Sequence, residues 1–186
     1  MRIAILQTGK VDPVAIGRIR ENLATVFADQ VTSLVVGTFL LPEDAYDERR
    51  RQYRSDIILS AIHNYAQTRK SFDRALGIVD VDLFVPRLNF VFGEAEYGGV
   101  AAVISLWRLR QEFYGRSSDI QILVERGTKE AVHELGHTLG LKHCPNPFCV
   151  MHLSNSIFET DRKKSLFCSK CYSKAMNSAA TGIGLE

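Results

Sequence analysis

Eleven consecutive residues constrain this chain more than any others: His133-Glu134-Leu135-Gly136-His137-Thr138-Leu139-Gly140-Leu141-Lys142-His143. On a helix, residues four apart share one face with about 5 to 6 Å between their Cβ atoms, so His133 and His137 can reach one point in space. Glu134 then stands beside that point rather than on it. Gly140 tolerates a left-handed backbone, which stops the helix and turns the chain so that His143 comes back to the same point. The run therefore demands a helix, a sharp stop and a returning segment. A chance His-Glu-x-x-His is expected in roughly one such chain in a few hundred, and the added Gly140 and His143 make coincidence rarer by about the same factor again.

Three neutral imidazoles form a catalytic type of zinc set, because they leave a fourth position for water, whereas structural sites are closed by four protein ligands. Zinc lowers the pKa of bound water to about 7. Glu134 is placed to take the water proton as general base and return it to a leaving amine. The expected reaction is amide hydrolysis, with His133, His137 and His143 as metal ligands and Glu134 as the catalytic carboxylate. His63 and His152 read as ordinary surface or hydrogen-bonded histidines.

All four cysteines follow the motif, as Cys144-x4-Cys149 and Cys168-x2-Cys171, with 18 residues between the pairs. This spacing suits a closed four-cysteine zinc site. Two disulfides or a four-thiolate iron centre are the other readings. Cys144 directly follows His143, so an ion held there would anchor the backbone that presents the third histidine.

Upstream, residues 3–7 read as a strand, 13–29 as a helix opened by Asp12-Pro13, and 31–41 as a second strand stopped by Pro42. Residues 43–54 read as a charged loop entering a helix that carries Tyr53, Ile57, Ile58, Ala61, Ile62 and Tyr65 at helical spacing. Arg49-Arg50-Arg51 reads as its solvated start, with a phosphate-binding patch as the alternative. Strand candidates follow at 76–85, 88–95 and 100–107. Ser118 with Gln121 fits a capping box, and a long helix is expected over 119–139, with Gly127 weakening its middle. The segment after Gly140 shows little periodicity and calls for a staple.

The extended motif followed by Met151, eight residues after His143, resembles the metzincin metallopeptidases, in which that methionine forms the apolar Met-turn beneath the metal. His143-Cys144-x4-Cys149-Val150-Met151 with Cys168-x2-Cys171 is similar to the archaemetzincin pattern. The texture of Leu88-Asn89-Phe90-Val91-Phe92-Gly93-Glu94-Ala95 also resembles that family. The resemblance implies an α/β, metzincin-like zincin fold: a twisted mixed β-sheet with two long helices, and a small C-terminal part organised by the four-cysteine zinc. It implies one metallopeptidase domain over 1–186, with an upper part of about 1–140 and a lower part of about 141–186. Two Zn2+ ions per chain are expected, one catalytic and one structural. By the same resemblance, an extended peptide or protein substrate adds to the sheet edge over Asn89 to Ala95. Some metzincins carry a tyrosine two residues after the methionine, where this chain has Leu153.

Lys plus Arg total 23 against 21 Asp plus Glu, a net charge of +2, so nothing electrostatic calls for nucleic acid or an anionic membrane. No apolar run reaches the roughly 18 residues of a membrane span, and the N-terminal Ile3-Ala4-Ile5-Leu6 is too short for a signal-peptide core. A cytoplasmic monomer is expected. The rival readings are a zinc-binding protein with a silent peptidase site and a four-cysteine zinc interaction module, the latter using the basic triplet Arg162-Lys163-Lys164, which otherwise reads as a solvated helix start.

Overall fold

The computed structural model describes residues 1–8, 10–27, 31–69 and 71–181. Its frame is a five-stranded sheet in the order β2-β1-β5-β8-β7. Strand β1 (Arg2–Gln7) lies parallel to β2 (Thr32–Thr38) and to β5 (Arg74–Val79), and β5 is parallel to β8 (Ala101–Ser105). Only the edge strand β7 (Gly93–Ala95) runs antiparallel, paired with β8. Strands buried on both faces read as continuous apolar runs, which is how β1 and β8 appear in the sequence. Ile3, Ile5, Leu76, Ile78 and Ile104 face helices α1 (Pro13–Val26) and α3 (Ile120–Thr138), while Ala4, Leu6, Ala75 and Val103 face α2 (Ser55–Thr68). Each fully buried Ile or Leu contributes roughly 1.5 to 3 kcal/mol relative to exposure.

The expected mixed sheet is present, and helices α1, α2 and α3 pack on its faces. Helix α1 starts as the sequence indicates, with the Asp12 carboxylate accepting from the Val14 amide at 2.8 Å and Pro13 in the first turn. Its last residue is Val26, capped by Phe27; the expected continuation to 29 lies outside the described residues.

Several expectations need correction. Asp119, not Ser118, caps α3: its side chain takes the amides of Gln121 and Ile122 at 2.8 and 3.0 Å. The helix runs unbroken through Gly127. The stretch before α2 is no plain loop, because β3 (Tyr46–Asp47), β4 (Gln52–Arg54) and β6 (Leu83–Phe84) build a second small sheet. Arg49 to Arg51 form the turn between β3 and β4 rather than a helix start. The 76–85 candidate divides into β5 and β6, and of 88–95 only Gly93–Ala95 joins the main sheet. The lower segment holds two helices that periodicity did not reveal, α4 (Ile157–Arg162) and α5 (Ser169–Thr181).

Candidate active site and metal centre

The C-terminal half of α3 carries His133, Glu134 and His137 into the interior. Beyond the cap Leu139, Gly140 has φ +79°, and the amides of Gly140 and Leu141 return to the carbonyls of His137 and Gly136 at 2.9 and 3.0 Å. This closes the helix end as the sequence required and sends the chain back to His143. The rings of His133, His137 and His143 lie with centroids 4.7 to 5.4 Å apart. One nitrogen from each falls within 4.8 Å of the others.

Backbone carbonyls orient two of the rings. His133 Nδ1 lies 2.8 Å from the Val150 carbonyl and His137 Nδ1 lies 2.7 Å from that of Leu141. An Nδ1–H donated to each carbonyl leaves both Nε2 lone pairs facing inward, and those two atoms are 3.1 Å apart. Two acceptors so close repel unless a cation stands between them, so the donor set fits a divalent metal. Burial pushes the pKa of His133 well down and that of His137 down to about 4, and lowers that of His143. All three imidazoles are therefore neutral at physiological pH, the form in which histidine can ligate a metal.

Glu134 is buried. Desolvation, followed by the neighbouring Glu130 carboxylate, raises its pKa well above the ordinary carboxylate range. Its side chain lies against the edge strand at Gly93, where a Cβ would fall 2.7 Å from Glu134 Cγ and Oε1. Glycine at 93 is thus a condition for the position of Glu134. Met151 is fully buried and packs against Gly136, between the two helical histidines in sequence. The surrounding turn is tied down by Cys144 N to Met151 O at 2.9 Å and by Val150 N to Leu166 O at 3.0 Å. His152 Nδ1 lies 2.9 Å from the Cys144 carbonyl, and His63 Nδ1 lies 2.7 Å from the Glu96 carboxylate; neither belongs to the three-histidine cluster.

The four cysteine thiols are unpaired, and their sulfurs lie within 4.8 Å of one another. Cys168 precedes α5 and Cys171 sits in its first turn. The Cys171 amide stabilises the Cys168 thiolate and brings its pKa down to about 7, whereas burial pushes Cys149 and Cys171 up. Closely packed sulfurs that cannot all ionise unaided are the donor set that a zinc ion converts to four thiolates.

A cavity of about 350 Å3 opens beside the histidines, walled by Leu88, Phe90 and Phe92 on one side and Leu153 on another, with Glu130 and Glu134 on the helix behind. Its outer wall is fixed from behind. Arg50 donates to the carbonyls of Leu88 and Asn89 at 2.8 and 2.9 Å, and Gln52 donates to Asn89 at 3.0 Å. Arg108 grips Asp82 with two bonds, its guanidinium 4.4 Å from the Phe90 ring centre. These bonds engage the Leu88 and Asn89 carbonyls, and Val91 bridges to Leu83 of the small sheet, so the segment before Phe92 is drawn away from the main sheet.

Sequence reasoning missed Gly93, the Arg50 and Arg108 network, and a buried ion pair. Lys163 was expected on a solvated basic face, yet it is fully buried, 3.0 Å from Glu130, whose carboxylate also accepts from Thr160 at 3.2 Å. No local signal marks such a lysine, because its partner lies 33 residues earlier.

Comparison with known proteins agrees with this geometry. The model of peptidase family M54 matches residues 14–177. The archaemetzincin of Pyrococcus abyssi is 42% identical over 177 residues, 92% of this chain and 93% of that protein. The crystal structure of archaemetzincin from Methanopyrus kandleri superposes with a TM-score of 0.84 at 34% identity, covering 96% of this chain and 94% of that one. That from Archaeoglobus fulgidus gives 0.78 at 37% identity, covering 94% and 99%. With the family model spanning most of its length and relatives this similar over nearly all of it, the chain belongs to the archaemetzincins, a family of zinc metallopeptidases.

Proposed function

We propose that His133, His137 and His143 hold the catalytic zinc, that Glu134 is the general base and acid, and that Cys144, Cys149, Cys168 and Cys171 hold a second, structural zinc, giving two Zn2+ per chain. Bound zinc supplies Lewis-acid polarisation and a lowered water pKa. The chain's own groups do the rest. Glu134 accepts the proton of the attacking water on its carboxylate and returns it to the leaving amine; a carboxylate with a raised pKa suits a group that must do both near neutral pH. β7 is the outer strand of the sheet and lies beside Glu134, which supports main-chain pairing with an extended peptide. The cavity walled by Leu88, Phe90, Phe92 and Leu153 receives an apolar side chain next to the scissile bond.

The observation that carries this reading is the convergence of three neutral imidazoles and a buried carboxylate at the end of an apolar cavity along a free sheet edge. In the same reading the upper part, about 1–140, supplies the helix and edge, while the lower part, about 141–186, is organised by the cysteine zinc. The enzyme acts as a cytoplasmic monomer without nucleic acid. Burial of Lys163 supports that exclusion, since it removes the middle cation of the basic triplet. Among the described residues no helix is long and apolar enough to cross a membrane.

The test compares wild type with Glu134→Ala by metal analysis and peptide-library cleavage. Two zinc ions in both proteins, with cleavage in the wild type alone, is the expected result. Cleavage in neither favours a silent site. A single zinc that is lost with Cys168→Ser and retained with His133→Ala overturns the catalytic-site assignment.

A further inference from the structure

His143 differs from the other two imidazoles. Carbonyls hold the His133 and His137 rings, but among the described residues no hydrogen bond holds the ring of His143, which is also the most exposed of the three. Its placement rests on the backbone to either side. On one side the Cys144 amide is fastened to Met151 O. On the other stands the Gly140 turn, and that turn is held from outside. The Tyr97 hydroxyl donates to the Gly140 carbonyl at 2.8 Å, and the amide of Gly98 donates to the His137 carbonyl at 2.9 Å.

Both donors belong to the tight connection between β7 and β8, which is itself braced. The Glu96 carboxylate accepts the amides of Val100 and Ala101 at 3.0 and 3.1 Å, and Glu96 N donates to Ala101 O at 3.0 Å. A rigid turn at the end of the edge strand thus grips the helix stop at two carbonyls, three residues apart, that bracket the bend leading to His143. The Tyr97 ring also lines a second cavity, of about 430 Å3, together with His137, Lys142 and His143.

We propose that Tyr97 is a positioning residue for the third metal ligand: its hydroxyl fixes the Gly140 turn so that His143 is presented to the ion, coupling the edge strand to the ligand set. The proposal rests on the reading of His133, His137 and His143 as the catalytic metal site. A partner that orients a ligand typically matters by tenfold or more in metal affinity or activity. Tyr97→Phe removes the hydroxyl and keeps the ring as cavity wall, so substrate binding through that wall persists.

The experiment loads full-length protein with Co2+, whose thiolate charge-transfer bands report the cysteine site and whose weaker d–d bands report the histidine site. In Tyr97→Phe the histidine-site cobalt is expected to pass to a competing chelator about tenfold more readily, with altered d–d bands and unchanged thiolate bands. Loaded with zinc, the variant should show a reduced kcat at unchanged KM. Thr68→Val is the control, because it loses a hydroxyl-to-carbonyl bond of similar length, to Tyr65 O at 2.9 Å, at the end of α2 and away from the histidines and the cavity wall. It should leave every readout at the wild-type value. Wild-type chelator competition and spectra in Tyr97→Phe overturn the proposal, as does equal loosening of both metal sites or a change in KM alone. Wild-type protein that binds cobalt only through its cysteines sinks the underlying metal-site reading instead.

Discussion

Gly93→Ala tests whether the edge strand sets the position of Glu134. The added methyl would lie 2.7 Å from Glu134 Cγ and Oε1 and 2.8 Å from the Val103 carbonyl, where ordinary contact begins at 3.4 Å, a deficit of about 0.7 Å. Val103 O belongs to the β8 backbone, held between β5 and β7, and cannot retreat. The carboxylate must give way, yet it too is buried. Overpacking of this kind costs about 1 to 3 kcal/mol, which lowers Tm by a few degrees in a domain of this size. The catalytic effect is larger, since a misplacement approaching 1 Å can cost about 10²-fold in rate. The assay is kcat/KM on a cleaved peptide at saturating zinc, beside metal analysis and a thermal scan. Expected are full zinc content, a modest Tm loss and a fall of about two orders of magnitude in kcat/KM. Wild-type activity in a folded Gly93→Ala protein would refute the claim that Glu134 works from the position seen here.

Three further outcomes follow from the same geometry. Cys168→Ser removes a thiol that the Cys171 amide makes more acidic and should release the structural zinc, and with it much of the catalytic zinc; metal analysis showing one zinc retained with full peptidase activity would contradict this. Lys163→Met strands the Glu130 carboxylate and should destabilise the protein by about 3 to 5 kcal/mol in denaturant unfolding, whereas Lys164→Ala, on the exposed neighbour, should do almost nothing. In metal-free protein the folded pKa of His137 is about 4 against an unfolded value near 6.5, so the unfolded chain binds the extra proton between those values. Stability should hold above about pH 6.5 and decline by on the order of 3 kcal/mol toward pH 4; an urea series in which His137→Gln shows the same decline would exclude His137 as its source.

Some of this was legible in sequence because its causes are local. The histidine run specifies its own helix, stop and return within eleven residues, and the fold has all three where the spacing requires them. The strands β1 and β8 announce themselves because burial on both faces selects apolar residues over most of their length. Other features were hidden because their causes are distant. Leu88 to Phe92 are apolar enough to read as a strand, but Arg50, some forty residues earlier, takes the Leu88 and Asn89 carbonyls, and Val91 bridges to Leu83 instead of the main sheet. The cap of α3 moved from Ser118 to Asp119, since both can accept from the first turn and a carboxylate is the stronger acceptor. Helix α5 gave no hydrophobic period because its buried face is made of small side chains, Cys171, Ala175 and Ser178.

The lower segment governs the histidine site more than the motif alone suggests. Both helical imidazoles are oriented by carbonyls that α3 does not own, Leu141 O for His137 and Val150 O for His133, and the third imidazole is His143 itself. All three therefore depend on residues 141–151, a stretch without regular secondary structure. Loops of that kind are ordered by what clamps them. The clamps are Cys144 N to Met151 O, Val150 N to Leu166 O and the sulfur cluster, whose members Cys144 and Cys149 lie within the stretch. The helix supplies two imidazoles, but their tautomers, and hence their ability to ligate, are set by a loop that the cysteine cluster holds in place. The cysteine cluster and the histidine cluster are thus linked through about ten residues of backbone, without any contact between the two sets being needed.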